Sequence, residues 1–322
     1  MEERLNKVLA RLGLASRRGA DEMIEAGRIT VNGQLVTEHG LKVDLSKDEI
    51  GVDGERISTR APKPRYVALY KPRHVITTAS DPYDRPTVMD FIDPNIRLFP
   101  VGRLDGNSEG LLLLTNDGDL AHELTHPRYE HEKEYRVKIS GTPTDKTLKT
   151  WREGVYLEDG RTAPADVKVE SSTGPSSWLR FVLREGKNRQ IRRMVETLGH
   201  TVHFLVRTRM GPITLGDLKP GEWRYLSDQE VEALRAGSDE PIYYGKEAEE
   251  RAKETRPPKP VYKEGWARPK PRNDRRTRRP GGSGGPQQGR TQPGSRPRPS
   301  GSGGGQNRAQ GRGRRTGGRG QK

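Results

Sequence analysis

Apolar positions near the start of the chain recur with a helical period: Leu5, Val8, Leu9 and Leu12 fall at i, i+3, i+4 and i+7. This predicts an amphipathic helix that Gly13 ends. Ser16 is suited to cap a second helix, which carries Ala20, Met23 and Ile24 on one face and stops at Gly27. The period then changes. Ile29-Thr30-Val31 alternates, Asn32-Gly33 has the composition of a two-residue hairpin turn, and Leu35-Val36 follow. In Arg60-Ala61-Pro62-Lys63-Pro64 the closely spaced prolines favour extended backbone and mark a linker. Beyond it strand-like runs dominate, at 66–70, 111–114, 135–139, 178–183 and 202–206, with helical segments near 119–124 and 189–198. That order predicts an α+β domain with a mixed, mostly antiparallel sheet.

The apolar pattern fades beyond about residue 237. Residues 251–322 hold 16 Gly and 10 Pro, a composition whose few apolar side chains cannot offset the entropy of ordering the backbone. A disordered arm is expected there. The chain therefore divides into a small N-terminal α/β domain (1–61), an α+β domain (62–236) and an Arg/Gly/Pro-rich tail (237–322).

Charge follows the same division. The net charge of +15 comes from 59 basic and 44 acidic residues, of which 21 and 3 lie in 251–322, leaving 38 basic and 41 acidic residues in the body. A nearly neutral body folds, and a polycationic arm seeks polyanions such as RNA in a salt-dependent way. In the body, Arg11, Arg17, Arg18 and Arg28 fall at helix ends and turns, where a solvated basic face and a nucleic-acid contact are both open readings. The chain has no cysteine, which excludes disulfides, thiolate metal sites and cysteine nucleophiles, and suits a reducing cytoplasm. Met1-Glu2-Glu3-Arg4-Leu5 does not resemble a signal peptide, and no apolar run is long enough to span a bilayer, so no membrane association is expected.

One loop stands out for chemistry. Gly102-Arg103-Leu104-Asp105-Gly106-Asn107-Ser108-Glu109-Gly110 sets a single carboxylate between glycines, just before the apolar run Leu111-Leu112-Leu113-Leu114. Glycines there let the backbone turn and approach a ligand closely. Alone, Asp105 reads as a turn residue. Three further segments alter the balance: Lys133-Glu134-Tyr135-Arg136-Val137, with a tyrosine opening a strand; the cationic turn 184–194 leading into a helix; and Leu205-Val206-Arg207-Thr208-Arg209-Met210-Gly211, closing a strand. Together they supply an acid, a phenol and a guanidinium cluster. His122-Glu123-Leu124-Thr125-His126 matches a zinc-peptidase pattern, but that pattern needs a continuous helix through both histidines, and Pro127 pushes His126 out of helical geometry. No metal is expected.

The sequence Gly102-Arg103-Leu104-Asp105, with Ser108, Gly110 and Thr115-Asn116-Asp117-Gly118, resembles the signature of rRNA pseudouridine synthases of the small-subunit synthase A and large-subunit synthase B branch. The segments 4–10, 15–18 and 24–33 resemble the RNA-binding domain that precedes the catalytic domain in that branch, and the likeness spans about residues 3–235. It implies that Asp105 is the catalytic aspartate, Tyr135 the active-site tyrosine, Arg192 the basic residue that pairs with the aspartate, and Leu205 the residue that packs beneath the base. Arg189-Gln190 stands where many relatives have His-Gln, and Ser108 where Thr is common.

The implied reaction breaks the glycosidic C–N bond of uridine, turns the uracil and rebonds it through carbon. Nothing is exchanged with other molecules, so no cofactor is needed. Asp105 could attack the sugar, attack the base or remove a sugar proton, and all three remain open. The target must flip into a pocket. Arg17, Arg18, Arg28, Arg103, Arg189, Arg193 and Arg207 are candidate RNA contacts. The expected partner is rRNA, 23S favoured, or a ribosomal precursor particle, met by a monomer in the cytoplasm. The same chemistry on 16S rRNA and a non-catalytic assembly factor are the alternatives.

Overall fold

The structure is a computed structural model and describes residues 1–93, 95 and 97–243. Two helices, Leu5–Arg11 and Arg17–Glu25, open the chain. Ser16 caps the second, its Oγ accepting the Gly19 N–H at 2.9 Å. Ile29–Val31 and Gln34–Val36 pair around Asn32 and Gly33, whose φ values of 53° and 77° fit the left-handed hairpin turn. Ile50–Val52 joins the other side of Ile29–Val31, and Glu55–Arg56 closes this small sheet. Leu5, Val8, Leu9, Ala20, Ile24, Ile29, Val43 and Ile50 form its core. Leu12 stays half-buried because the helix ends one residue before it.

The second domain is built on one large sheet. Its strands run in the order Asp166–Ser172, Ser176–Leu183, Lys133–Ser140, Val202–Met210, Glu109–Thr115, Tyr66–Lys71, Trp223–Tyr225. Every neighbouring pair is antiparallel except Val202–Met210 with Glu109–Thr115, where Val206 faces Glu109 and Arg207 faces Gly110. Glu109–Thr115 is buried on both faces. Leu111 and Leu113 pack with Leu120, Leu124 and Leu234, while Leu112 and Leu114 pack with Val88, Phe91 and Trp223. That explains an unbroken leucine run where a one-sided strand would alternate.

The expected helices appear as Gly118–Thr125 and Gln190–Thr197. Three further elements carry no strong pattern in the sequence: the helix Asp145–Glu153, the edge strand Asp166–Ser172 and the helix Asp228–Arg235. Trp151, fully buried, fixes the first of these against Val137, Phe181 and Met194.

Gly110 corrects one expectation. Its φ is +106°, and a Cβ there would lie 2.3 Å from the Arg207 carbonyl oxygen. The close approach it permits is between two parallel strands, not toward a ligand. The body also continues past 236: the Ile242 N–H donates to Pro212 O at 2.9 Å, and Glu132 N–H donates to an Asp239 carboxylate oxygen at 3.0 Å. The rest of the disordered arm expected over 237–322, from 244 onward, lies outside the described residues. No helix among the described residues is long and apolar enough to cross a membrane.

Candidate active site

The parallel pairing of Val202–Met210 with Glu109–Thr115 brings the 102–108 loop beside the strands that bear Tyr135 and Leu205. The loop is held from below by Lys71, the last residue of its strand, which has no exposed surface. Lys71 Nζ donates to the main-chain oxygens of Ser108 at 2.8 Å, Pro72 at 2.9 Å and Asp105 at 3.2 Å. Thr77 Oγ1 donates to Leu104 O at 2.8 Å, and His74 N–H to Gly106 O at 2.6 Å. The Ser108 N–H returns to Asp105 O at 2.9 Å, closing the turn. With its backbone so fixed, the Asp105 side chain stands 31% exposed at the pocket wall. Burial pushes the Lys71 ammonium down to about 8, while the charges of Asp105 and Glu109 pull it back up.

The pocket, about 200 Å³ and open to solvent, is lined by Asp105, Tyr135, Leu205, Arg103, Arg189 and Arg207, among others. Tyr135 and Leu205 share one face of the sheet: Tyr135 pairs with Arg207, and Val137 with Leu205. Leu205 is buried, and Tyr135 packs against two of the hydrophobic clusters.

Two arginines stand near the aspartate. Arg189 Nη1 lies 3.8 Å from Asp105 Oδ2, whereas Arg192 Nη2 donates to Asn107 O at 3.0 Å and to Ser108 Oγ at 3.3 Å. The cause lies at the helix start. Arg189 caps Gln190–Thr197 in left-handed geometry, φ 47°, which puts its side chain at the pocket rim, while Arg192 turns inward one helical turn later. Arg192 is 7% exposed, its pKa lowered chiefly by that burial, with Asp105 opposing the shift through space.

The arginines expected on RNA divide by position. Arg17, Arg18, Arg103 and Arg189 are exposed. Arg28 is exposed but holds Asp53, Nε to Oδ1 at 2.8 Å. Arg193 is held bidentately by Asp159 at 2.8 and 2.9 Å and does not line the pocket. Arg207 is 3% exposed, its Nε donating to Leu111 O at 2.7 Å, and it lines the pocket.

Two lysines escape a reading of the sequence. Lys71 is signalled only by a Lys-Pro step ending an apolar strand, and Lys133 by standing two residues before Tyr135. The His122/His126 pair does not form one helical face. The helix ends at Thr125, and His126 is extended with ψ 128°, its Nδ1 accepting from the Arg128 N–H.

Residues 3–50 match the S4 domain, and residues 65–197 match the family described as RNA pseudouridylate synthase. The chain is 45% identical over 241 residues to ribosomal large subunit pseudouridine synthase B of Bacillus subtilis, covering 74% of this chain and 97% of that protein. It is 41% identical over 242 residues to the protein of the same name from Escherichia coli O6:H1, covering 73% and 83% respectively. A solved structure described as a pseudouridylate synthase aligns with a TM-score of 0.52 at 31% identity, over 72% of this chain and 99% of that one. With its S4 domain ahead of a mixed, mostly antiparallel sheet, the chain belongs to the RNA pseudouridylate synthase family and is a pseudouridine synthase.

Proposed function

We propose that this synthase isomerises one uridine in a stem-loop of 23S rRNA, with Asp105 as its reacting carboxylate. What carries the reading is the convergence of Asp105, Tyr135, Leu205 and Arg189 on one pocket from four separate segments of the chain. Relatives named for the large ribosomal subunit support 23S rRNA as the substrate.

In this reading the flipped uracil rests on Leu205 beside the Tyr135 ring, and the Asp105 carboxylate meets the sugar or base. Arg189 stabilises the carboxylate in its ionised form. Tyr135 assists the final loss of the proton from C5. Arg103, Arg17 and Arg18 contact the flanking backbone, and the charged tail adds salt-dependent affinity. The C1′–N1 bond that breaks is replaced by a C1′–C5 bond, and the proton lost from C5 is matched by one gained at N1, so the balance closes without a cofactor. The enzyme works as a cytoplasmic monomer, with residues 1–61 binding RNA, the sheet domain catalysing, and the tail tethering.

The test is to map pseudouridines in both rRNAs from cells lacking the gene, then restore the wild type or Asp105→Asn. Loss of one 23S pseudouridine, regained with the wild type alone, is expected. A lost site in 16S rRNA would overturn the subunit, and rescue by Asp105→Asn would overturn the role of Asp105.

A further inference from the structure

A guanidinium is buried in the wall of the pocket with one of its nitrogens unpaired. Of the five N–H donors of Arg207, Nε is taken by Leu111, and Nη2 is buried with no hydrogen-bond partner among the described residues. A second cation stands near. Lys133 lines the same pocket and gives a hydrogen bond to His131 O at 2.8 Å, and burial followed by the charge of Arg207 pushes its pKa down to about 8, with Asp239 opposing. Two cations forced together away from water are costly unless something that enters the pocket repays them.

The surroundings identify that visitor. Arg207 pairs across the strands with Tyr135, follows Leu205 by two residues, and lines the pocket together with Leu183 and Met210. A phosphodiester keeps its oxygens in water and tracks the rim. A flat heterocycle with carbonyl oxygens at its edge fits beside Tyr135, Leu183, Leu205 and Met210, with Arg207 and Lys133 as donors.

We propose that Arg207 recognises the base itself: its guanidinium donates to a carbonyl oxygen of the target uracil and, with Lys133 beside it, stabilises the uracil as it leaves the sugar. This rests on the pocket being the seat of the target uridine. When the C1′–N1 bond breaks, its electron pair stays with the base, and the charge spreads over N1, O2 and O4. C5 then bonds to C1′, the C5 proton leaves and N1 gains one, so the atoms balance with no co-reactant. Donors fixed where charge develops lower the barrier because they need no reorganisation.

The test uses the full chain and transcripts of both rRNAs carrying [5-³H]uridine, from which isomerisation releases tritium. Turnover of 23S rRNA by the wild type upholds the reading on which this rests, and turnover of neither RNA sinks both. On whichever RNA reacts, Arg207→Gln should lower kcat by roughly a hundredfold and Arg207→Lys by less, with RNA affinity unchanged within about threefold. A fall in affinity with a salt slope smaller by about one would mark a phosphate contact and overturn the proposal. Arg207→Gln also loses the bond to Leu111 and can unfold the sheet, so a second arm leaves the protein untouched. Stem-loops carrying 2-thiouridine or 4-thiouridine at the converted position present a weaker acceptor. The wild type should slow by about tenfold with at least one of them. Full turnover of both overturns the proposal.

Discussion

The ammonium of Lys71 donates to the main-chain oxygen of Asp105 at 3.2 Å, from a position with no solvent exposure. Its other two hydrogen bonds go to Pro72 and Ser108, so all three protons are spent on the chain that carries the carboxylate. Lys71→Met would leave three buried carbonyls unpaired, a loss of about 3 kcal/mol. It should also lower kcat at least about tenfold, because a small misplacement of a reacting group is costly. Urea unfolding and tritium release read the two effects. A variant that is less stable but fully active would show that Lys71 braces the fold alone.

The same three bonds need the charged form of Lys71, whose pKa is pushed down to about 8. Turnover should therefore decline as pH rises through about 8. Stability moves the other way. The folded pKa lies below the ordinary value of 10.5, so burying the charge opposes folding at neutral pH, and that opposition fades as pH climbs from about 8 toward 10.5. Lys133, also pushed to about 8, adds to the same trend. Rates and urea midpoints measured between pH 7 and 9.5 should diverge, and parallel falls would refute the assignment.

Arg189 and Arg192 should separate by what they support. Arg192 is buried and ties the loop through Asn107 O and Ser108 Oγ, so Arg192→Gln should destabilise by about 1–3 kcal/mol. Arg189 is exposed and faces the Asp105 carboxylate at 3.8 Å, so Arg189→Gln should leave unfolding nearly unchanged and reduce turnover. Equal effects on both measurements for both variants would contradict the geometry.

What the sequence discloses here depends on whether a contact is local. Ser16 as a cap, Asn32-Gly33 as a turn and the buried leucine strand each follow from neighbours in the chain. The edge strand Asp166–Ser172 buries only Val167, so it has no alternation to read. The helix Asp145–Glu153 buries only Leu148 and Trp151. Asp105, Tyr135 and Leu205, singled out by the motifs around them, line one pocket. Lys71 is not singled out, because its bonds reach 34 and 37 residues away and a lysine in isolation reads as solvated. That Arg189 comes within 4 Å of the Asp105 carboxylate turns on a left-handed residue at a helix start, which no periodicity encodes.

Gly110→Ala should destabilise by about 3 kcal/mol or prevent folding, since it combines a strained φ of +106° with a Cβ 2.3 Å from Arg207 O. Thermal unfolding checks it. Gly118→Ala, where a Cβ meets nothing within 4 Å, serves as the control and should be near neutral.

Truncation after Tyr243 tests the division of labour between body and tail. It keeps the Ile242 bond to Pro212 that closes the body, and it removes all of residues 251–322 with their 21 basic and 3 acidic residues. The remaining chain should fold with an unchanged midpoint, because the removed segment has too few apolar side chains to contribute a core. Its RNA affinity should fall, and the slope of log affinity against log salt should flatten, since fewer phosphates are neutralised. Turnover at saturating RNA should persist within about threefold, because Asp105, Tyr135, Leu205 and Arg207 all lie in the retained body. Loss of turnover on a short stem-loop at saturation would instead make the tail part of the reacting site.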